Sequence, residues 1–225
     1  MKPTTLLALG AIWLSITLAI FLAFLYAPPA KNFIGESSRI LFFHVPMAWV
    51  SSLAFILAGV ASVRYLRTRD VRFDHQARSA VGLGLIFGVL ATVTGSLWAR
   101  VMWNSYWNWD PRQSSIILAL TFYLAYFGFR SAVEEVEARR RLAAAYAALG
   151  LIVAPFLFYI APRIAGFTLH PEPILNANLK VEVESRMRQV LLLSSLGFTA
   201  FFVWLHILNC RLLTLLEARD AKSLS

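Results

Sequence analysis

The sequence predicts an all-α, polytopic membrane protein, with six transmembrane helices in a single domain that covers residues 1–225. Of the 225 residues, 59% are hydrophobic and only 15% are charged, which lies outside the usual composition of a soluble domain. A window of about 19 residues finds six apolar runs, near 5–27, 40–63, 79–98, 114–130, 142–161 and 189–210. Each run approaches the roughly 20 residues that a helix needs to cross about 30 Å of hydrocarbon.

The first run, near 5–27, is interpreted as a retained span, because it is long for a signal peptide and has no small-residue cleavage site. No Asp, Glu, Lys or Arg lies well inside any of the six runs. Ion-coupled transporters place such groups within the membrane. A coupled pump is therefore not expected.

The distribution of Lys and Arg orients the spans. With the N-terminus in the cytoplasm, thirteen basic residues fall on inner segments and eight on outer ones. Cytoplasmic segments usually carry this excess, so both termini are predicted to be cytoplasmic. The net charge of +9 then indicates contact with anionic lipid rather than nucleic acid. The inner residues are Lys2, Arg64, Arg67, Arg69, Arg72, Arg78, Arg130, Arg139, Arg140, Arg141, Arg211, Arg219 and Lys222, and the outer ones are Lys31, Arg39, Arg100, Arg112, Arg163, Lys180, Arg186 and Arg188.

Two of the four histidines are predicted at the outer face. His44 follows Ser38, the predicted N-cap of the second span, and at 1.5 Å per residue it lies about 9 Å into the outer leaflet. His170 belongs to the longest outer segment, roughly 162–186, whose prolines discourage helix.

The other two histidines are predicted on the inner side. His75 falls in the Arg-rich inner loop, and His206 lies near the inner end of the last span. A lone histidine in a membrane helix often packs or forms hydrogen bonds without binding a ligand. We assign that role to His75 and His206, and it stays open for His44.

Tryptophan is concentrated in the outer loop "WARVMWNSYWNWDPRQSS", residues 98–115, which holds four of the seven tryptophans. Indole rings favour both membrane interfaces, but a general aromatic belt would distribute them over all outer ends. If residues 99–109 form an interfacial helix, the i, i+3, i+4, i+7 spacing gives a shared face, whereas Trp109 points elsewhere. The face consists of Trp103, Tyr106, Trp107 and Asp110.

The run "DPRQ" at 110–113 is also a helix start. Asp110 is expected at the N-cap, Pro111 at the first helical position and Gln113 as the capping-box partner. Arg112 adds a guanidinium at the outer surface, which can bind a carboxylate or a phosphate.

Together these features match the requirements of haem. Imidazole nitrogens ligate iron, aromatic rings stack on the porphyrin, and guanidinium groups pair with the propionates. The single cysteine, Cys210, lies in no C-x-x-C-H run, so we do not expect thioether attachment. Four outer arginines are expected to be isolated and so available for the propionates: Arg39, Arg100, Arg112 and Arg163.

"WNSYWNWDPRQSS" resembles the tryptophan-rich WWD motif of haem-handling proteins, roughly W-G-x-x-W-x-W-D-x-R-L-T. Together with six spans, "RILFFHVP" and "TLHPE", it resembles the CcmC family (cytochrome c maturation protein C, haem exporter protein C). The sequence departs from the motif at three positions, Asn104 for Gly, Gln113 for Leu and Ser114 for Thr, and it has Tyr106 where Trp is common.

The resemblance implies a bacterial cytoplasmic (inner) membrane protein that binds haem b non-covalently and transiently at its periplasmic face. It further implies delivery of haem to the chaperone CcmE, in a complex with CcmA, CcmB and CcmD. The chain supplies no obvious catalytic group, so we expect no enzymatic activity. The implied axial ligands are His44 and His170, and the tryptophan-rich segment is implied to contribute to haem binding. With the outer arginines, the predicted haem contacts are Arg39, Trp98, Arg100, Trp103, Tyr106, Trp107, Trp109, Asp110 and Arg112.

Two alternatives differ in class. A b-type cytochrome oxidoreductase subunit usually holds haem between histidines on facing spans, but one histidine here lies in a loop. A permease subunit of an ABC haem exporter would contact its nucleotide-hydrolysing subunit through cytoplasmic loops. The inner loops here, about 67–78 and 133–141, are short.

Overall fold

The computed structural model describes residues 3–30, 35–170 and 183–223, and helices make up almost all of this part of the chain. Six stretches are long and apolar enough to cross a membrane, which confirms the predicted all-α fold with six spans. A 3₁₀ segment, Gly35–Ile40, precedes α2, and a π-helical turn, Phe156–Ile160, joins α5 and α6 into one span. The helices are α1 (Pro3–Leu25), α2 (Leu41–Thr68), α3 (Val71–Trp103), α4 (Pro111–Ala132), α5 (Val136–Pro155), α6 (Ala161–Ile164) and α7 (Ser185–Ser223).

The bundle has two ends, because short connections make consecutive helices antiparallel. We call one the histidine end: it carries residues 104–110, between α3 and α4, and residues 165–170, after α6. The opposite end carries residues 69–70 and 133–135. Lys2, Lys31 and the middle of the longest predicted outer segment, 171–182 with Lys180, lie outside the described residues.

The centre of the bundle is packed through small residues. Phe55 of α2 stacks on Tyr123 of α4, with ring centroids 3.6 Å apart. A Cβ atom at Gly84 of α3 would lie 2.6 Å from Cε1 of Phe55, so the glycine lets α2 and α3 approach closely. This close approach is the packing that small residues permit between membrane helices.

Helices at the opposite end extend beyond the predicted spans. The loop predicted at about 67–78 is helical except for Arg69 and Asp70, because the Asp70 carboxylate accepts a hydrogen bond from Arg72 N (2.9 Å) and caps α3. The prediction that His75 lies in a loop is therefore wrong. It is a buried residue near the start of α3.

Ion pairs join four helices at this opposite end. Arg130 of α4 donates two hydrogen bonds to the buried Asp74 of α3 (2.6 and 3.0 Å). Arg140 of α5 lies 3.6 Å from the same carboxylate and also donates to Glu217 of α7. Glu217 in turn lies 2.8 Å from His75 Nε2. Because a buried carboxylate without a partner is costly, the network holds the four helix ends in one arrangement.

The tryptophan-rich loop contains no helix of its own. The predicted helix over 99–109 is wrong, since residues 99–103 belong to α3 and residues 104–110 are non-helical. Asn104 ends α3 in the left-handed conformation, with φ 57° and ψ 19°. Asparagine tolerates that conformation better than most residues, so Asn104 acts as the stop signal.

The start of α2 also differs from the prediction. Ser38 lies in the 3₁₀ segment, and its hydroxyl accepts a hydrogen bond from Ala30 N (3.0 Å) instead of capping α2. Ile40 precedes α2 without a side-chain cap. His44 therefore lies in the first turn of α2, at the histidine end of the bundle.

Candidate functional site

The imidazole of His44 is oriented by α3. Its Nδ1 atom lies 3.0 Å from the carbonyl oxygen of Ala91 and 3.2 Å from Oγ1 of Thr94. A carbonyl oxygen can only accept, so Nδ1 carries the proton and donates it. Nε2 then keeps its lone pair. A backbone carbonyl bonded to one imidazole nitrogen, with the other available for a metal, is the usual arrangement of a metal-binding histidine.

Gly95 makes room for this ring. A Cβ atom at position 95 would lie 2.9 Å from Cε1 of His44 and 3.4 Å from its Nδ1. Any side chain would therefore displace the imidazole from the surface of α3. Neither Gly95 nor Thr94 was identified from the sequence, because contacts between α2 and α3 leave no local pattern.

His170 lies beside His44. The two ring centroids are 6.4 Å apart, with 35° between the ring planes. Two imidazole nitrogens that bind the same metal at about 2 Å each lie about 4 Å apart. The distance from each nitrogen to its own ring centroid accounts for most of the difference between this value and the observed separation of the centroids. The separation thus suits a single atom shared by both rings. Ligation itself stays a prediction.

Trp98 closes one side of the histidine pair. This buried side chain of α3 lies 5.7 Å from the ring of His170 and 4.9 Å from the ring of Trp103, centroid to centroid. The Trp98 and Trp103 planes meet at 77°, an edge-to-face contact. Two of the predicted aromatic residues therefore pack next to the histidines.

Two adjoining cavities surround these rings. The first, the histidine cleft, has a volume of about 20 Å³ and is lined by His44, Gly95, Trp98, His170, Ile40 and Leu41. The second, the lateral groove, has a volume of about 350 Å³ and shares Ile40 and Trp98 with the first. Pockets for drug-sized ligands usually have about 300–1,000 Å³, so the groove, and not the cleft, offers space for a large planar ligand. The groove is apolar along Phe24, Phe43, Leu97 and Val101, and polar at Glu36, Ser37 and Arg39.

Asp110 joins the tryptophan-rich loop to the segment that carries His170. As predicted, it caps α4: its Oδ1 accepts a hydrogen bond from Arg112 N (2.9 Å). The same buried carboxylate accepts from Oγ1 of Thr168 (2.8 Å) and from Leu169 N (2.8 Å). Thr168 was not identified from the sequence. Its position two residues before a candidate ligand is the one signal that was available.

Gln113 performs a variant of the predicted capping box. Its Oε1 accepts a hydrogen bond from Asn108 N (2.8 Å), two residues before the expected partner. The side chain therefore fixes the backbone of the loop instead of the N-cap amide. Pro111 begins α4, as predicted.

The remaining loop rings do not form the predicted helical face. Trp107 contacts Trp109 edge to face, with centroids 5.8 Å apart, although a helix would have separated these two rings. Trp109 is 72% exposed and Tyr106 57% exposed. Trp109 also has φ 56°, a left-handed conformation that is strained for a bulky side chain.

The outer arginines are not isolated, contrary to the prediction. Arg39 pairs with Glu36 and donates hydrogen bonds to the carbonyl oxygens of Ala23 and Ala27 at the end of α1. Arg100 donates to the carbonyl and side-chain oxygens of Asn104. These contacts give both side chains a structural role, and a role towards haem stays a prediction.

Two further arginines lie at the histidine end. Arg163 donates a hydrogen bond to the carbonyl oxygen of Tyr159 (2.5 Å). Arg112, in the first turn of α4, is half-buried next to the cap.

His75 and His206 lie elsewhere, as predicted. His75 contacts Thr214 and Glu217, and Nδ1 of His206 lies 3.0 Å from Oγ of Ser79. Each is thus a hydrogen-bonded packing residue of the opposite half of the bundle.

Comparison with known proteins identifies the family. The family model described as "Heme exporter protein C" (CcmC) matches residues 2–225. Similar proteins named "Heme exporter protein C" occur in Bradyrhizobium diazoefficiens (32% identity, 93% of this chain and 82% of the relative) and Rhodobacter capsulatus (29%, 89% and 81%). A ccmC-like mitochondrial protein of cytochrome c biosynthesis from Marchantia polymorpha is 31% identical over 66% of this chain and 62% of its own length. This chain belongs to the haem exporter protein C family of cytochrome c maturation.

Proposed function

We propose that this protein binds haem at its histidine end and delivers it to a haem chaperone during cytochrome c maturation. In this proposal His44 and His170 are the two axial ligands of a haem b that is bound non-covalently and transiently. The observation that carries the proposal is the 6.4 Å separation of the two imidazole rings. The hydrogen bond from Nδ1 of His44 to Ala91 supports it further, because it leaves Nε2 available for iron.

The lateral groove supports a place for the porphyrin. A macrocycle that extends from the histidine cleft meets Trp98, which lines both cavities. The apolar side chains of the groove suit the ring system, and Arg39 at its polar edge suits a propionate. Arg112 is the second candidate for a propionate, from the start of α4.

The tryptophan-rich loop supports the docking of a chaperone. Trp109 and Tyr106 are both more than half exposed at the histidine end, and exposed aromatic rings are typical centres of protein interfaces. The strained backbone of Trp109 is consistent with a conformation kept for binding. We assign this surface to CcmE, with CcmA, CcmB and CcmD as the other members of the complex.

The proposed location is the bacterial inner membrane, with the histidine end facing the periplasm. The opposite end carries the Arg69–Asp70 connection and the residues around Arg130 and Arg140, and basic residues favour the cytoplasmic side. The two histidines of that half already contact protein groups. This arrangement argues against a second haem there, and so against a b-type cytochrome.

Substitution of the two ligands tests the proposal. Purified chain that is loaded with haem is compared by absorption spectroscopy with the His44→Ala, His170→Ala double variant. We expect the double variant to lose the low-spin spectrum of bis-histidine haem. An unchanged spectrum in the double variant would exclude the two residues as ligands.

A second experiment tests the propionate contact. Arg112→Ala is expected to weaken retention of haem at least about tenfold, because a hydrogen bond to a charged group contributes about 1.5–3 kcal/mol. Retention of the propionate dimethyl ester is expected to change little. Equal weakening for both compounds would contradict a role of Arg112 towards a propionate.

A further inference from the structure

The segment that carries His170 is weakly packed. Residues 165–170 follow α6 without helical structure, and the large apolar side chains near His170 are exposed: Ile164 is 70%, Phe167 68% and Leu169 47% exposed. Burial of apolar surface therefore contributes little to holding this segment. A further restraint, beside the contact with Trp98, must therefore fix the position of the His170 ring.

Polar contacts to one carboxylate provide that restraint. Asp110 accepts hydrogen bonds from Oγ1 of Thr168 (2.8 Å) and from Leu169 N (2.8 Å). Thr168 Oγ1 accepts in turn from His170 N (3.1 Å). The hydroxyl of Thr168 thus links the carboxylate to the backbone of His170, beside the direct bond from Leu169 N.

Asp110 is itself held rigidly. It is only 2% exposed, and it caps α4 through Arg112 N. Hydrogen bonds to an ionised acceptor are among the stronger ones in proteins. The carboxylate therefore fixes residues 168–170 relative to the start of α4.

We propose that Thr168 is a positioning residue, which acts through Asp110 to hold His170 at the distance from His44 that ligation requires. This inference rests on the proposed function and deepens it, since it names the residues that set how readily the second ligand leaves the iron. Asp110 becomes part of this positioning unit instead of a direct haem contact.

The rate at which cyanide replaces His170 on ferric haem measures this restraint. The full chain, loaded with ferric haem in lipid nanodiscs, is mixed with excess cyanide, and the spectral change is followed in stopped flow. Cyanide binds after a protein ligand has left, so a looser His170 gives a faster reaction. In Thr168→Val we expect about a tenfold rise in rate, the factor that corresponds to about 1.4 kcal/mol, while haem remains bound.

Three control variants separate the link from other effects. Thr168→Ser keeps the hydroxyl and is expected to react within about twofold of the unchanged protein. Thr199→Val makes the same chemical change in α7, where Oγ1 donates to the carbonyl oxygen of Ser195 in the same helix, and is expected to have no effect. Asp110→Asn is itself expected to react faster, and in that background Thr168→Val is expected to add little, because both changes break the same link.

The outcomes distinguish the two levels of the proposal. If Thr168→Val reacts at the unchanged rate, or if Thr168→Ser is as fast as Thr168→Val, the positioning role of Thr168 is overturned. The proposal that His44 and His170 are the axial ligands is not affected by that result. If His170→Ala leaves the spectrum and the cyanide rate unchanged, His170 is not a ligand, and both proposals fail. Should Thr168→Val not accumulate in the membrane, Thr168→Ala carries the same expectation.

Discussion

The two candidate ligands are held in opposite ways. His44 belongs to the long helix α2, lies against Gly95 of α3, and is oriented by Ala91 and Thr94. His170 follows a short exposed segment that depends on hydrogen bonds to Asp110. One imidazole is thus part of the packed bundle, and the other is tethered to it.

This difference suits the proposed function, in which haem must be released after it is bound. A ligand fixed by two helices cannot move without disturbing their packing, whereas a tethered loop can move when its hydrogen bonds break. In the proposed function His44 keeps haem in place, and His170 determines when haem can leave. The following experiments test whether the two histidines differ in this way.

The largest effect is expected from removing the fixed ligand. His44→Ala should lower haem affinity more than about 100-fold, above the usual effect of outer-shell partners on metal binding. His170→Ala should retain haem in a five-coordinate, high-spin form. Titration of each variant with haem, followed by absorption, measures both outcomes. Equal loss in the two single variants would remove the distinction between them.

Gly95→Ala should have the next largest effect. The added methyl group would lie 2.9 Å from Cε1 of His44, and overpacking of this kind costs about 1–3 kcal/mol. We expect haem affinity to fall about tenfold, the factor for about 1.4 kcal/mol. Gly82→Ala is the matched control, because its methyl group would lie 3.7 Å from Phe127, an ordinary contact. Identical affinities in the two variants would show that the His44 ring does not depend on Gly95.

Thr94→Val should have a smaller effect. It removes one of the two acceptors of His44 Nδ1 and leaves the Ala91 carbonyl. A single hydrogen bond contributes about 1 kcal/mol, so we expect about a fivefold lower affinity for haem. Thr92→Val serves as control, since Oγ1 of Thr92 bonds to Gly88 O within α3. An effect of the same size in the control would assign the loss to helix stability.

The smallest effect on haem is expected from the other histidines. His75→Ala and His206→Ala should leave haem affinity within about twofold, because both lie in the opposite half of the bundle. His75→Ala should nevertheless lower the melting temperature by a few degrees, since it breaks contacts to Thr214 and Glu217. A changed haem spectrum in either variant would contradict the assignment of the ligands.

Local patterns in the sequence were sufficient for much of the fold. Long apolar runs predicted six spans, and the run "DPRQ" predicted the start of α4 with Asp110 as its cap. Such features depend on neighbouring residues alone. The prediction of an interfacial helix over 99–109 was wrong because it also used a local pattern. Helical periodicity extends through the loop, but it does not show that Asn104 adopts a left-handed conformation and ends the helix.

Long-range contacts were less accessible from the sequence. The side of the bundle on which His44 and His170 lie followed from counting spans, but their 6.4 Å separation depends on how α2, α3 and the segment after α6 pack. Gly95 contacts His44, and Thr168 bonds to Asp110, and both of these partners are distant in the sequence. The contacts of the outer arginines were not predicted either. Arg39 bonds mainly to backbone carbonyls, and because every residue has one, the sequence does not show which of them it will contact.

The unbroken helix α3 constrains how the chain can change in length. Near one end it carries Asp74, which is anchored by arginines of α4 and α5, and near the other it carries Gly95 beneath the His44 ring. One inserted residue would rotate everything beyond it by about 100° and shift it by about 1.5 Å. Either Asp74 would then lose its arginine partners, or Gly95 would no longer lie beneath the His44 ring. Homologous chains that keep both features should therefore gain or lose residues in the connections between helices, and not along α3.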